Sequence, residues 1–216
     1  DARDLVADCV SDLGYGAGSP TVARRRFPRA DLLVEVFSTT VNTERSLSEA
    51  LTTRAPQFLP LADEISTVQK RFLERKLQMS VLDFDDLLLY WRVLLAEVPD
   101  VRARLQERFA WVLVDEYQDT NRLQGAIVDQ MAAGHRNLTV VGDDAQSIYS
   151  FRGADFTNII ELPARYSGAQ VFRLTVSYRS TPEILALANA SIAVNRRQFP
   201  KELRSVRTNG PRPLLC

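Results

Sequence analysis

Asp115 and Glu116 stand directly after the apolar run Trp111-Val112-Leu113-Val114. A buried strand there fixes both carboxylates at the edge of a sheet. Magnesium takes one or two carboxylates, keeps several waters and adds phosphate oxygens. Asp115 suits that role, and Glu116 beside it can orient an attacking water. The plain alternative is a pair of solvated loop acids. A second apolar run, Leu138-Thr139-Val140-Val141, leads into Gly142-Asp143-Asp144, with Gln146, Tyr149, Phe151 and Arg152 soon after. In an extended segment Tyr149 and Phe151 share one face. Exposed there, they form a stacking platform for unpaired bases; ordinary core aromatics are the alternative. A third run, 171–176, precedes Arg179, which lies just before the helix start Thr181-Pro182-Glu183. A guanidinium fork beside a positive helix end suits phosphate oxygens. The alternative is a surface ion pair with Glu183.

The elements that must position these residues are readable from periodicity. Strand 111–114, a helix over 121–133 and strand 138–141, with short connections, predict a βαβ unit and hence parallel strands. Ligands of open α/β sheets bind at the carboxyl ends of such strands, where the acids and Gln146 stand. Upstream the pattern is helical. Leu5, Val6, Cys9, Val10 and Leu13 predict a helix over 1–13, ended by a glycine-rich stretch that starts at Gly14. That stretch follows a helix and lacks a Lys, so it reads as a helix cap and loop, not a phosphate loop. Arg24-Arg25-Arg26 reads as a solvated turn or a phosphate-backbone contact. Short helices are expected over 31–38 and 44–52, and a longer one over 61–79. Asp83 is placed to cap a helix running to about Val98, apolar nearly all round and therefore expected to be deeply buried.

Composition narrows the class. The chain has 216 residues, with 27 basic and 27 acidic side chains. Zero net charge argues against a protein that holds nucleic acid by bulk charge. A single histidine makes a His-rich zinc site or a Ser-His-Asp triad improbable. Cys9 and Cys216 have no metal spacing and form no disulfide framework, so a reducing, cytoplasmic setting is the default. No apolar run approaches the ~20 residues of a membrane span. The chain opens on Asp1 without a signal peptide, which predicts a piece of a longer protein.

The segment Val114 to Thr120 resembles motif II of the UvrD/Rep/PcrA group of superfamily-one DNA helicases. Residues 142–154 resemble motif III, Tyr178-Arg179-Ser180-Thr181 the start of motif IV, and Leu82-Asp83-Phe84-Asp85-Asp86-Leu87 a recurrent segment upstream of motif II. The resemblance is specific over 82–195 and only positional over 1–81. It implies an α/β fold: part of a RecA-like parallel sheet with an inserted all-helical subdomain. It divides the chain into an accessory helical subdomain (1–98), the second half of a first motor domain (99–168) and the start of a second (169–216).

The resemblance also implies a 3′→5′ ATP-dependent helicase acting on single-stranded DNA and duplex junctions, with ATP and Mg2+ as cofactors. Asp115 would bind the metal, Glu116 would be the general base and Gln146 the γ-phosphate sensor. Arg179 would be an arginine finger, and Tyr149, Phe151 and Arg152 would contact DNA. Two positions depart from the family pattern: Phe151 stands where Trp is common, and Ser177 where Asn is usual. No Gly in the chain is followed by Lys. The phosphate loop is therefore expected upstream, and the chain alone is expected not to hydrolyse ATP. Two alternatives stay open. One is a binding or interaction module that keeps the fold without the motor; the other is part of a helicase–nuclease.

Overall fold

Among the described residues, four helix starts close on themselves through reciprocal side-chain caps: Asp1 with Asp4, Ser46 with Glu49, Asp83 with Asp86, and Asn121 with Gln124. Each box satisfies backbone donors that the first turn leaves open. A computed structural model describes residues 1–15 and 26–214, apart from the Arg152 side chain. The Gly16-to-Pro20 part of the glycine stretch, with Arg24, Arg25 and Cys216, lies outside the described residues.

The helical part comprises α1 (Ala2–Asp12), α2 (Ala30–Thr43), α3 (Leu47–Arg54), a 3-10 segment Pro56–Leu61 and α4 (Ala62–Met79). Gly14 adopts φ 73° just past α1, the left-handed conformation that ends a helix. Val6 and Cys9, Leu33 and Val36, Ala50 and Leu51, and Ile65, Val68 and Phe72 converge in one apolar core. α2 runs further than its apolar pattern predicts. Over that extension the hydroxyls of Thr39, Thr40 and Thr43 donate back to the carbonyls of Glu35, Phe37 and Thr39, which satisfies them within the helix.

Next come α5 (Phe84–Glu97), α6 (Pro99–Arg108), β1 (Val112–Val114), α7 (Arg122–Ala132) and β2 (Leu138–Val140). β1 and β2 pair in parallel, Val112 opposite Leu138 and Val114 opposite Val140, which is the expected βαβ unit. A second core joins Leu95 of α5 to Leu123, Ile127 and Met131 of α7. The expected deep burial of α5 does not hold. Only Asp86 and Leu95 are buried, while Phe84, Leu87, Tyr90 and Trp91 are exposed. α7 and its neighbours cover one stripe of a helix that is apolar all round.

α8 (Thr157–Arg165), β3 (Val176–Ser177), α9 (Pro182–Ile192) and β4 (Arg204–Ser205) complete the described chain. The strand expected over 171–176 shrinks to β3, which pairs in parallel with β4. Phe172 and Leu174 are exposed, and of residues 171–175 only Thr175 reaches the ladder, its carbonyl accepting from Arg204 N–H at 2.8 Å. Thr181 precedes α9 with Pro182 in the first turn as expected, but its side chain makes no capping bond. α6 and α8 carry weak sequence signals: α6 buries no residue and α8 contains Pro163. The architecture is mixed α/β with small parallel sheets. No helix among the described residues is long and apolar enough to cross a membrane.

Candidate nucleotide and nucleic-acid site

The carboxyl ends of β1 and β2 lie side by side because the strands are parallel and adjacent. Val141 N–H donates to Val114 C=O at 2.8 Å, and Tyr117 N–H to Val141 C=O at 2.9 Å, so the ladder bonding continues into both loops. Asp115 and Glu116 leave the first strand exposed. Glu116 adopts φ 49°, ψ 41°, left-handed backbone that costs a non-glycine residue roughly 1–2 kcal/mol. Glu44 and Ser80 use the same conformation to end helices, whereas Glu116 opens the 3-10 turn Tyr117–Asp119. Asp115 Oδ1 accepts from Glu116 N–H at 2.9 Å, and Glu116 Oε2 accepts from Gln118 Nε2 at 2.9 Å.

Behind this turn the packing is tight. Tyr117 and Gln118 are buried. Burial pushes the Tyr117 phenol pKa up, and Arg165 donates to its hydroxyl oxygen at 3.1 Å. Asn158 of α8 donates to the carbonyls of Thr120 and Asn121 at 3.0 and 3.1 Å, fixing the junction between the turn and α7.

From β2 the chain enters a short 3-10 turn, Asp144–Gln146. Gln146 is exposed, and its Nε2 donates to Asp143 Oδ2 at 2.9 Å. Asp143 also pairs with Lys201, whose Nζ lies 3.6 Å from Asp144 Oδ1. Burial alone would raise the Asp143 carboxyl, but hydrogen bonds from Lys201 and Gln146 outweigh it and hold the pKa below the ordinary range.

The segment carrying the two aromatics is not extended. Ser150–Arg152 forms a 3-10 turn closed by Gly153 at φ 90°, a conformation that favours glycine. The turn, not strand alternation, brings Tyr149 and Phe151 together, with ring centroids 6.0 Å apart and planes at 46°. The two residues are 38% and 55% exposed, so neither is a fully buried core aromatic. Arg54 of α3 donates to the Phe151 carbonyl, and Asn121 bridges Ala154, so the turn is anchored on two sides. The side chain of Arg152 lies outside the described residues.

Arg179 sits apart from these groups. It is exposed, and its N–H lies 3.4 Å from Ser177 Oγ. Its carbonyl accepts from Arg207 at 2.8 Å. The Glu183 carboxylate accepts from Gly210 N–H at 2.9 Å, and no ion pair joins it to Arg179 among the described residues. Nor does a described hydrogen bond tie Arg179 to Asp115, Glu116 or Gln146.

No group of three or more metal-ligating side chains occurs among the described residues. Asp115 and Glu116 can supply only the small carboxylate set that magnesium uses when phosphate oxygens and waters complete its shell.

Residues 18–167 match the UvrD/REP helicase N-terminal domain, and the chain belongs to that family. Among curated relatives, the ATP-dependent DNA helicase PcrA of Bacillus subtilis is 45% identical over 139 residues, 64% of this chain and 19% of that protein. PcrA of Staphylococcus aureus is 41% identical over 146 residues, 68% of this chain and 20% of that protein. A probable DNA helicase II homologue of Rickettsia felis is 39% identical over 152 residues, 70% and 23% of the two chains. The chain thus spans about a fifth of the length of these relatives.

Proposed function

We propose that this chain supplies the hydrolytic and DNA-contacting loops of an ATP-dependent helicase that moves 3′→5′ on single-stranded DNA and opens duplex junctions. In this reading residues 1–98 are the accessory helical subdomain, 99–168 belong to a first RecA-like motor domain and 169–216 to a second. One observation carries it: the two candidate catalytic loops leave the carboxyl ends of adjacent parallel strands, Asp115 and Glu116 from β1 and Gln146 from β2. This is where α/β sheets bind ligands. The left-handed Glu116 adds support, since backbone strain of that kind concentrates at functional sites.

Asp115 is assigned to hold Mg2+, which when bound with ATP would neutralise charge on the phosphate oxygens. Glu116 accepts the proton of the attacking water, and Gln146 contacts the γ-phosphate. Tyr149 and Phe151 stack on unpaired bases, with Arg152 assigned to the same strand. Arg179 reaches the phosphates from the second domain.

The test is Glu116→Gln in the complete helicase. The isosteric amide cannot accept the proton, so ATP binding is retained while DNA-stimulated hydrolysis is lost. Turnover near the parental rate would remove Glu116 from the mechanism, whereas a complete parent that hydrolyses no ATP at all would favour a module without a motor.

A further inference from the structure

Gln118 is 1% exposed, yet it carries two donors and an acceptor. A buried amide is tolerated only when these are satisfied. Its Oε1 accepts from Asp143 N–H at 3.0 Å. Its Nε2 donates to Glu116 Oε2 at 2.9 Å and to Asp119 Oδ2 at 3.3 Å. Its own carbonyl accepts from Ser147 Oγ at 3.3 Å. These partners also fix which end of the amide is which: Asp143 N–H needs an oxygen, and the Glu116 carboxylate needs an N–H.

We infer that Gln118 is the positioning residue that ties the Glu116 carboxylate to the Asp143–Gln146 turn, so that the two catalytic loops act as one body. This inference rests on the roles proposed above for Glu116 and Gln146. A continuous path supports it: Glu116 accepts from Gln118, Gln118 accepts from Asp143 N–H, and Asp143 Oδ2 accepts from Gln146. The backbone bond from Tyr117 to Val141 already holds the loops together. Gln118 adds control of the side chain that backbone bonding cannot reach.

The site is also shaped for this amide. A Cβ added at Gly142 would fall 2.5 Å from Gln118 Oε1 and 2.8 Å from Ile159 Cδ1. Position 142 therefore leaves room for Gln118 to reach across to Asp143. Gln is required over Glu, because a carboxylate would set a third acidic group against Glu116 and Asp119. It is required over Met, because a thioether donates nothing and accepts weakly.

Two variants separate the two arms. Gln118→Met removes both, while Gln118→Glu keeps the acceptor for Asp143 N–H and loses the donor to Glu116. In the 15N-labelled 216-residue chain, Gln118→Met should speed amide exchange at Asp143 by roughly tenfold, the worth of one hydrogen bond. Exchange at Val141, whose N–H bonds Val114, should not change. Gln118→Glu should leave Asp143 protected.

In the complete helicase both variants should lower kcat by roughly 10–100-fold, as loss of an orienting partner does, with KM for ATP within about threefold. Unchanged exchange at Asp143 in Gln118→Met would overturn the inference. So would parental kcat in both variants while Glu116→Gln is inactive. Full turnover in Glu116→Gln would be a different failure, that of the general-base assignment on which the inference stands. If Gln118→Met fails to fold, Gln118→Glu alone still decides: low kcat with Asp143 protected supports the inference, and parental kcat sinks it.

Discussion

Asn121 donates its side-chain amide to Asn42 Oδ1 at 2.7 Å, joining the end of α2 to the start of α7 across 79 residues. Both side chains are buried. Asn42 in turn donates to Asp85 Oδ1 at 2.8 Å, at the start of α5, while Asn121 Oδ1 caps α7 by accepting from Gln124 N–H. One pair of amides thus fastens the helical part to the starts of both α5 and α7. Asn42→Ala leaves the Asn121 amide and the Asp85 carboxylate short of a buried partner. A loss of about 1–3 kcal/mol is expected in urea denaturation. A double-mutant cycle with Asn121→Ala should give a coupling of about 0.5–3 kcal/mol. Additive losses would show that the two amides do not act as a unit.

Lys76 is expected to be the most sensitive charged residue among those described. Its Nζ lies 2.8 Å from Asp83 Oδ2 and 2.6 Å from Asp86 Oδ2, and 4.5 Å from the Phe72 ring centroid. The Lys76 and Asp86 side chains are each 8% exposed. Removing one partner of a buried pair strands the other charge, so Lys76→Met should cost about 3–5 kcal/mol. Adding Asp86→Asn should recover part of that loss, because the amide removes the stranded charge. Melting temperatures of the three proteins check both statements.

Stability should fall steeply in acid. Burial alone would raise the carboxyls of Asp83, Asp143 and Asp155, but their hydrogen bonds win. Lys76 and the Asp86 N–H hold Asp83 low, Lys201 and Gln146 hold Asp143 low, and Thr157 and Arg122 hold Asp155 low. A group whose pKa is lower folded than unfolded stabilises the fold above its unfolded value, roughly 3.9 for Asp. That contribution disappears as pH falls through the folded value. Melting temperature followed from neutral pH into acid should therefore drop below about pH 4, and Asp143→Asn should flatten the curve. An identical acid limb in Asp143→Asn would show that its pairing with Lys201 adds no stability.

What the sequence made legible was local. Capping at Asp83, the βαβ unit and the placement of Asp115, Glu116 and Gln146 at strand ends all follow from neighbouring residues. The roles of Asn42, Arg54, Asn158 and Lys201 do not, because each finds its partner dozens of positions away and none carries a periodic signal. Nor does the sequence around Gln118 signal its role, since only the packed turn brings its amide to both loops. The exposure of α5 is illegible for a related reason: an apolar surface all round a helix says it can be covered, not what covers it.

Arg179 offers a test of the proposed second-domain contribution. Its backbone, not its side chain, makes the described hydrogen bonds, to Ser177 and Arg207. Arg179→Ala in the complete helicase should therefore leave the melting temperature unchanged. It should cut ATP turnover by roughly 10³–10⁵, the range for a lost arginine finger. Arg179→Lys should rescue little, because a point charge does not reproduce the planar fork. Near-parental turnover in Arg179→Ala would assign the finger to another residue.

Tyr149 and Phe151 should govern affinity for single-stranded DNA without carrying the fold. Both rings reach the surface, and the turn that bears them is held from its backbone by Arg54 and Asn121. A base stacked on an aromatic ring contributes about 1–3 kcal/mol. Each alanine substitution should thus weaken binding of a labelled oligothymidylate by roughly five- to 150-fold. Phosphate contacts set the salt dependence and ring stacking does not, so the slope of affinity against salt should stay the same in both variants. Phe151→Trp should bind more tightly than the parent, because the indole offers a larger face. The melting temperature of each alanine variant should move by less than about 2–4 °C, the shift that 1 kcal/mol produces at this chain length. Large losses of stability with DNA affinity intact would mean that the rings pack for structure, and that the strand is held elsewhere.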